Sequence, residues 1–233
     1  MKEGLFYPAN TEFDKKVTAL KNSFRSRMNG ETSQQMTARG IKYRKNYGIS
    51  IPHIKEIAKA YSFTPQECER LWMMEIRETM LLAAILMPED ELTPERMQRW
   101  SARIVNSDIA EQSAFFLFSR MNHADGFLTD CLSHENRLLI STAFLTAGRR
   151  FQLGLSVSDK LTKALLQLLE QMEHLANRDL MRGISLFLRQ GLRHNNISSV
   201  EIRHLMNRLL ATESLSGQQL YEELNTELLY LEP

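Results

Sequence analysis

The chain has 233 residues, 43% hydrophobic and 24% charged, with six prolines and ten glycines, a composition that suits a packed globular protein and excludes a disordered or fibrous one. The formal net charge of +1 is unevenly spread: residues 1–60 hold twelve Lys/Arg against five Asp/Glu, and residues 61–233 hold seventeen against twenty-three. No apolar run approaches the roughly 20 residues that cross a bilayer, and Met1 to Asn10 lacks the apolar stretch of a secretory signal, so a cytoplasmic protein with no membrane partner is expected.

Two helices are predicted first, from about Glu12 to Arg27 and from about Thr32 to Lys45. A turn at Tyr47-Gly48 then leads through Ser50 and Pro52 into a helix ending near Tyr61, and this segment carries most of the positive excess. Thr64-Pro65 opens the next helix. Thr caps the orphan N–H groups of the first turn, and Pro occupies a position where its missing donor costs nothing. The device returns 29 residues later at Thr93-Pro94, and the two segments run on to Leu71-Trp72 and to Arg99-Trp100 respectively, which is an internal repeat.

Between and after these openers, apolar residues recur at helical spacing: Leu81, Leu82, Ile85 and Leu86, then Phe115, Phe116 and Phe118. A helix is predicted from Ser107 to about Met121, pairs over 125–133 with 136–150 and over 159–175 with 178–193, and further starts after Asn177, Ser198 and Ser216. Pair openers near 65, 94, 125, 159 and 199 keep within the length of two-helix repeats. No strand-like alternation of useful length appears. The expected fold is all-α, an α-α superhelix (solenoid) of HEAT-like helical repeats. One domain over 1–233 is expected, with basic N-terminal helices over 1–61 and about five helix pairs over 62–233. Each pair has too little apolar surface to stand alone, so stacking buries Leu165, Leu168 and Leu169 against neighbours such as Leu186, Phe187 and Leu188.

The stretch from Met36 to Ile57, with its Tyr47-Gly48-Ile49 turn, Pro52 and basic helix, is similar to the N-terminal signature of the AlkD-like family of DNA alkylation repair glycosylases. Leu71-Trp72 followed by Glu75-Ile76-Arg77-Glu78 and the paired alanines Ala83-Ala84 resembles that family's next block. The resemblance implies a stack of HEAT-like repeats holding duplex DNA on a concave basic surface, a monomer, and excision of N3- or N7-alkylated purines. A carboxylate and aromatic faces would stabilise the cationic sugar as the base leaves.

Active members carry a Trp-Asp-x-x-Asp pattern, and the register that aligns it here sets Ile109-Ala110-Glu111-Gln112-Ser113 in its place. The Trp and both Asp are absent, leaving Asp108 and Glu111 as substitute carboxylates. A bland reading also stands, in which Asp108 and Glu111 only favour the positive end of a helix capped at Ser107. The second family Trp falls near Leu186 and a phosphate-holding Arg near Ile140, with Arg137 close enough to replace the latter. Trp72 and Trp100 read as packing residues.

Candidate DNA contacts are Arg39, Lys42, Tyr43, Arg44, Lys45, Tyr47, Lys55 and Lys59, where the 42/45 and 55/59 spacings set charges on single helix faces, together with Arg178, Arg182, Arg189 and Arg193 on a later helix. Cys68 and Cys131 have no CxxC or Cys/His partner, and His53, His123, His134, His174, His194 and His204 fall in no HExxH or triad-like setting, so no metal and no cofactor are expected. Two alternatives to a glycosylase remain: a catalytically silent relative that binds DNA structures, and a solenoid that grips a protein partner.

Overall fold

The computed structural model describes residues 10–122, 124–171, 178–211 and 214–231. The side chains of residues 178 and 179, most of the N-terminal segment read for a signal, His123, His174 and the cap position Asn177 lie outside the described residues. Thirteen α-helices run through these residues, and the one β-like feature among them is an isolated bridge between Lys45 and Ile76. They fall in two compact units that part between Leu92 and Thr93.

The first unit holds α1 (Thr11–Ser26), α2 (Gly30–Ala38), α3 (Ile51–Lys59), α4 (Pro65–Met73) and α5 (Arg77–Leu86). Asn10 caps α1 by accepting from Phe13 N, and Phe13, Val17, Leu20 and Phe24 recur on one face of that helix and are buried. Thr64 and Glu67 form a reciprocal capping box at the start of α4, where Pro65 takes the first position. Glu67 also receives Lys16 of α1 at 3.0 Å, which fastens the two helices. Every side chain from Arg77 to Ala84 of α5 is buried, so α5 is the axis on which α3 and α4 pack.

α2 ends at Ala38, seven residues short of the expected Lys45. Gly40 at φ +82° takes the left-handed position past the cap Arg39. Its N–H bonds Thr37 O at 3.0 Å, and the N–H of Ile41 reaches back to Met36 O at 3.0 Å. This paired closure satisfies the last carbonyls and turns the chain out of the helix. The charges at 42 and 45 are therefore not on one helix face: they sit on an extended segment running to Ser50.

The second unit holds α6 (Pro94–Ser101), α7 (Ser107–Phe116), α8 (Ala124–Leu132), α9 (Arg137–Gln152), α10 (Asp159–Gln171), α11 (Arg178–Arg193), α12 (Ser199–Ala211) and α13 (Leu215–Leu231). Openers at Pro65, Pro94, Ala124, Asp159 and Ser199 reproduce the expected rhythm, and Trp72 and Trp100 are both fully buried. The cap of α7 is Asn106 rather than Ser107, and the helix gives way to a single 3-10 turn at Phe118–Arg120 instead of continuing to Met121. Likewise α13 begins after Ser214, whose carbonyl accepts from Gln218 N, and not after Ser216.

α9 is the spine of this unit, with α7, α8 and α11 against it. Gly148 of α9 and Gly183 of α11 let these two helices touch. A Cβ on Gly148 would stand 2.8 Å from the Phe187 backbone nitrogen, and one on Gly183 3.0 Å from Ser141 O. Phe144 and Phe151 then meet Phe187 at ring distances of 5.5 and 5.7 Å. Buried Arg150 ties the end of α9 to the turn after α7, donating to Ser119 O at 3.0 Å and Met121 O at 2.8 Å.

Candidate functional site

The turn from Tyr47 to Ile49, in the midst of the first unit's basic residues, is held from beneath. Glu78, 0% exposed at the start of α5, accepts from Tyr47 N at 3.1 Å and from Ile49 N at 3.3 Å. Its neighbour Arg77 donates to Ile49 O at 2.8 Å and lies 3.4 Å from the Glu78 carboxylate. Between the two clamped amides, Gly48 sits at φ +71°, where a Cβ would lie 2.0 Å from Asn29 O, so only glycine fits. The tight Tyr47-Gly48-Ile49 turn and the Arg77-Glu78 pair are thus two halves of one structural device.

In this unit Arg39, Lys42, Arg44, Lys45, Lys55 and Lys59 are all exposed, and Lys55 and Lys59 share a face of α3 at the expected spacing. Arg39, Arg44 and Lys59 make no ion pair among the described residues. Lys45 Nζ lies 4.5 Å over the Tyr47 ring. Tyr43 is half-buried. Tyr47 is a correction: it is 5% exposed, with its ring 5.4 Å from that of Phe24, so it is a core residue and presents no face to a base. The sequence placed it beside charged residues, but its ring packs into the core against Phe24.

In the second unit the α11 arginines are divided between two carboxylates. Arg182 Nη2 lies 2.7 Å from Glu111 Oε1 of α7. Arg189 and Arg193 both converge on Glu227 of α13, Arg189 Nε at 3.2 Å and Arg193 Nη2 at 2.8 Å. Glu111 is 9% exposed, whereas Arg182 is 71% exposed along its side chain. Burial pushes the Glu111 carboxyl above the usual carboxylate range, Arg182 opposes this and Asp108 adds to it. Glu227 has the opposite fate: burial acts against its charge, but hydrogen bonds from Arg193 and Arg189 outweigh it and hold the carboxyl below its usual range.

Beside the Glu111–Arg182 pair, a cavity of about 500 Å³ opens between α7, α9, α11 and α13. Its walls include Glu111, Phe115, Leu186, Gln190 and Glu223, so the positions aligned with the expected catalytic pattern and with the second expected Trp face one space. Asp108 does not line it. Arg137 is exposed at the first turn of α9, and the Arg178 side chain is outside the described residues. Cys131 is buried in α8 with its thiol pushed up to about 12, first by burial and then by Asp130. Among the described residues no three His, Cys, Asp or Glu side chains are placed to hold a metal ion, and no helix is long and apolar enough to cross a membrane.

Three residues that matter to these sites do not stand out from sequence. Glu78 is one acidic residue within the block that carries the family resemblance, and burial is what gives it its role. Gln190 and Glu227 belong to polar positions whose surroundings are built by other helices, which no local pattern signals.

A family model described as DNA alkylation repair enzyme matches residues 20–196. No curated protein matches the chain in sequence. A solved structure described as a new family of proteins related to the HEAT-like repeat DNA glycosylases with affinity for branched DNA structures is similar at a TM-score of 0.71 and 14% identity. That match covers 90% of this chain and 94% of the other. The fold is accordingly an all-α, HEAT-like repeat fold.

Proposed function

Because this chain belongs to the DNA alkylation repair enzyme family, we propose that it binds DNA through the basic face of its first unit, favours branched or distorted DNA, and does not excise alkylated purines. The observation that carries the binding is the set of exposed cations of this unit, Arg39, Arg44 and Lys59 foremost, which make no ion pair among the described residues. Phosphate affinity grows with the number of such charges that release counterions.

Glu111 speaks against excision. A carboxylate stabilises a developing sugar cation by presenting uncompensated negative charge. Here that charge is met by Arg182 at 2.7 Å, and burial favours the protonated form as well. The similar structure's described affinity for branched DNA supports the preference for distorted substrates.

The test is an anisotropy titration with a paired duplex and a four-way junction at two salt concentrations, alongside an assay for release of 7-methylguanine. Salt-sensitive binding that is tighter for the junction, with no base release, is the expected result. Release that disappears in Glu111→Gln would instead restore the glycosylase reading. Absence of binding to either DNA at low salt would remove DNA as the partner and favour a protein-binding solenoid.

A further inference from the structure

We propose that a second cavity, between α6 and α8, is a receptor for a small organic amine, an ammonium group carried on an apolar body. The site lies wholly within the second unit and stands or falls apart from the DNA-binding reading. Its volume is about 670 Å³, within the range of small-molecule sites. Met97 of α6, Phe127 and Cys131 of α8 and Leu139 of α9 line it, and all four are buried. A lining of this kind takes up an apolar body and leaves its orientation to a few polar groups.

The charged groups here carry one sign. Glu95 and Asp130 line the cavity, and no Lys or Arg stands among the described residues that do. Hydrogen bonds from its own backbone amide and from Thr93 hold the Glu95 carboxyl below its usual range, and Arg99 favours the same charge from outside the lining. Asp130 makes no ion pair among the described residues, and its charge reaches the Cys131 thiol inside the cavity. His134, the one lining residue able to gain a positive charge, accepts the Asn136 N–H on Nδ1 at 3.0 Å, an arrangement that belongs to the neutral ring. An anion would meet two carboxylates and no cation, whereas an ammonium group finds charge-assisted partners.

Gly126 of α8 lines the same cavity, and nothing lies within 4 Å of the place a Cβ would take. Alanine is the better helix former, and neither a close approach nor a left-handed φ calls for glycine here. What the missing side chain does is leave the cavity wall open. Position 126 is therefore where the site can be closed with the fold left intact. The probes are phenylbutylamine, phenylbutanol and phenylbutyrate, which share one apolar body and differ in charge. Affinity for the full chain is read by titration calorimetry. Location is read from the Met97 methyl signal of methionine-labelled protein, assigned with Met97→Leu.

The amine is expected to bind about threefold tighter than the alcohol, the scale of an exposed ion pair, with the carboxylate weakest, and to shift the Met97 signal. Asp130→Asn is expected to bring the ratio of amine to alcohol affinity down toward one while leaving the alcohol unchanged. Gly126→Leu is expected to abolish binding of all three, with a urea midpoint at or above that of the parent. Carboxylate affinity equal to that of the amine, a Met97 signal that the amine does not move, or amine binding that survives Gly126→Leu overturns the proposal. Should Gly126→Leu lose its fold, Asp130→Asn, at an exposed position, decides alone: an unchanged ratio overturns the site. None of these outcomes bears on DNA binding by the first unit.

Discussion

Replacing Glu78 with Gln changes one atom and tests whether the turn under the basic face is held by charge. In the parent chain the carboxylate receives the amides of Tyr47 and Ile49 and sits 3.4 Å from the Arg77 guanidinium, all in a fully buried setting. Glutamine keeps one acceptor. Its NH2 faces either the second backbone amide or Arg77, donor against donor, so one charge-assisted hydrogen bond, worth about 1.5–3 kcal/mol, is lost. Arg77, itself 5% exposed, also loses its adjacent negative charge, and breaking a buried pair from one side costs about 3–5 kcal/mol in all. With a urea m-value of about 2 kcal/mol/M, a loss near 4 kcal/mol moves the unfolding midpoint down by about 2 M. Glu56→Gln, on the exposed side of α3, is the control and is expected to stay within about 0.5 kcal/mol. If the Glu78 variant moves the midpoint by no more than that control does, the clamp is not what holds the turn.

Local capping and periodicity made the helices legible. Thr64-Pro65 and Thr93-Pro94 open α4 and α6 where expected, because capping chemistry is read from adjacent residues. The end of α2 was equally local, carried by Gly40, yet the run of charged residues beyond it resembled a helical face and hid the stop. Site geometry was legible only in part. Glu111 and Leu186 were placed by register and do line one cavity, but that Arg182 quenches Glu111 depends on α7 meeting α11. Tyr47 shows the limit most clearly: its sequence neighbours include cations, yet its ring packs against Phe24 in the core.

Arg39, Arg44 and Lys59 replaced together by Ala are expected to weaken duplex binding and to reduce the slope of log affinity against log salt by up to about 3, about one for each phosphate no longer neutralised. An unchanged slope would place the DNA elsewhere. Cys131, buried and with its thiol pushed up to about 12, is expected to be inert to a thiol reagent at pH 8 in the folded chain and to react once denaturant is added; rapid native labelling would contradict its burial. Glu111→Gln and Glu227→Gln should move stability in opposite senses. The Glu111 carboxyl is raised on folding, so the folded chain holds its proton more tightly and stability falls as pH climbs from the ordinary carboxylate range through the raised value. Glutamine removes that penalty, and because Arg182 is 71% exposed little is lost with the ion pair. The variant should match or exceed the parent at neutral pH, with its advantage shrinking on acidification. Glu227 is lowered on folding, so its contribution is present above the unfolded value and vanishes as pH falls through the folded one. Glu227→Gln should therefore cost about 2 kcal/mol at neutral pH, from hydrogen bonds to two charged groups, and converge on the parent in acid. Urea midpoints at pH 7 and pH 3 read both variants, and two differences of the same sign would mean that burial and arginine pairing are weighted wrongly in one of these two sites.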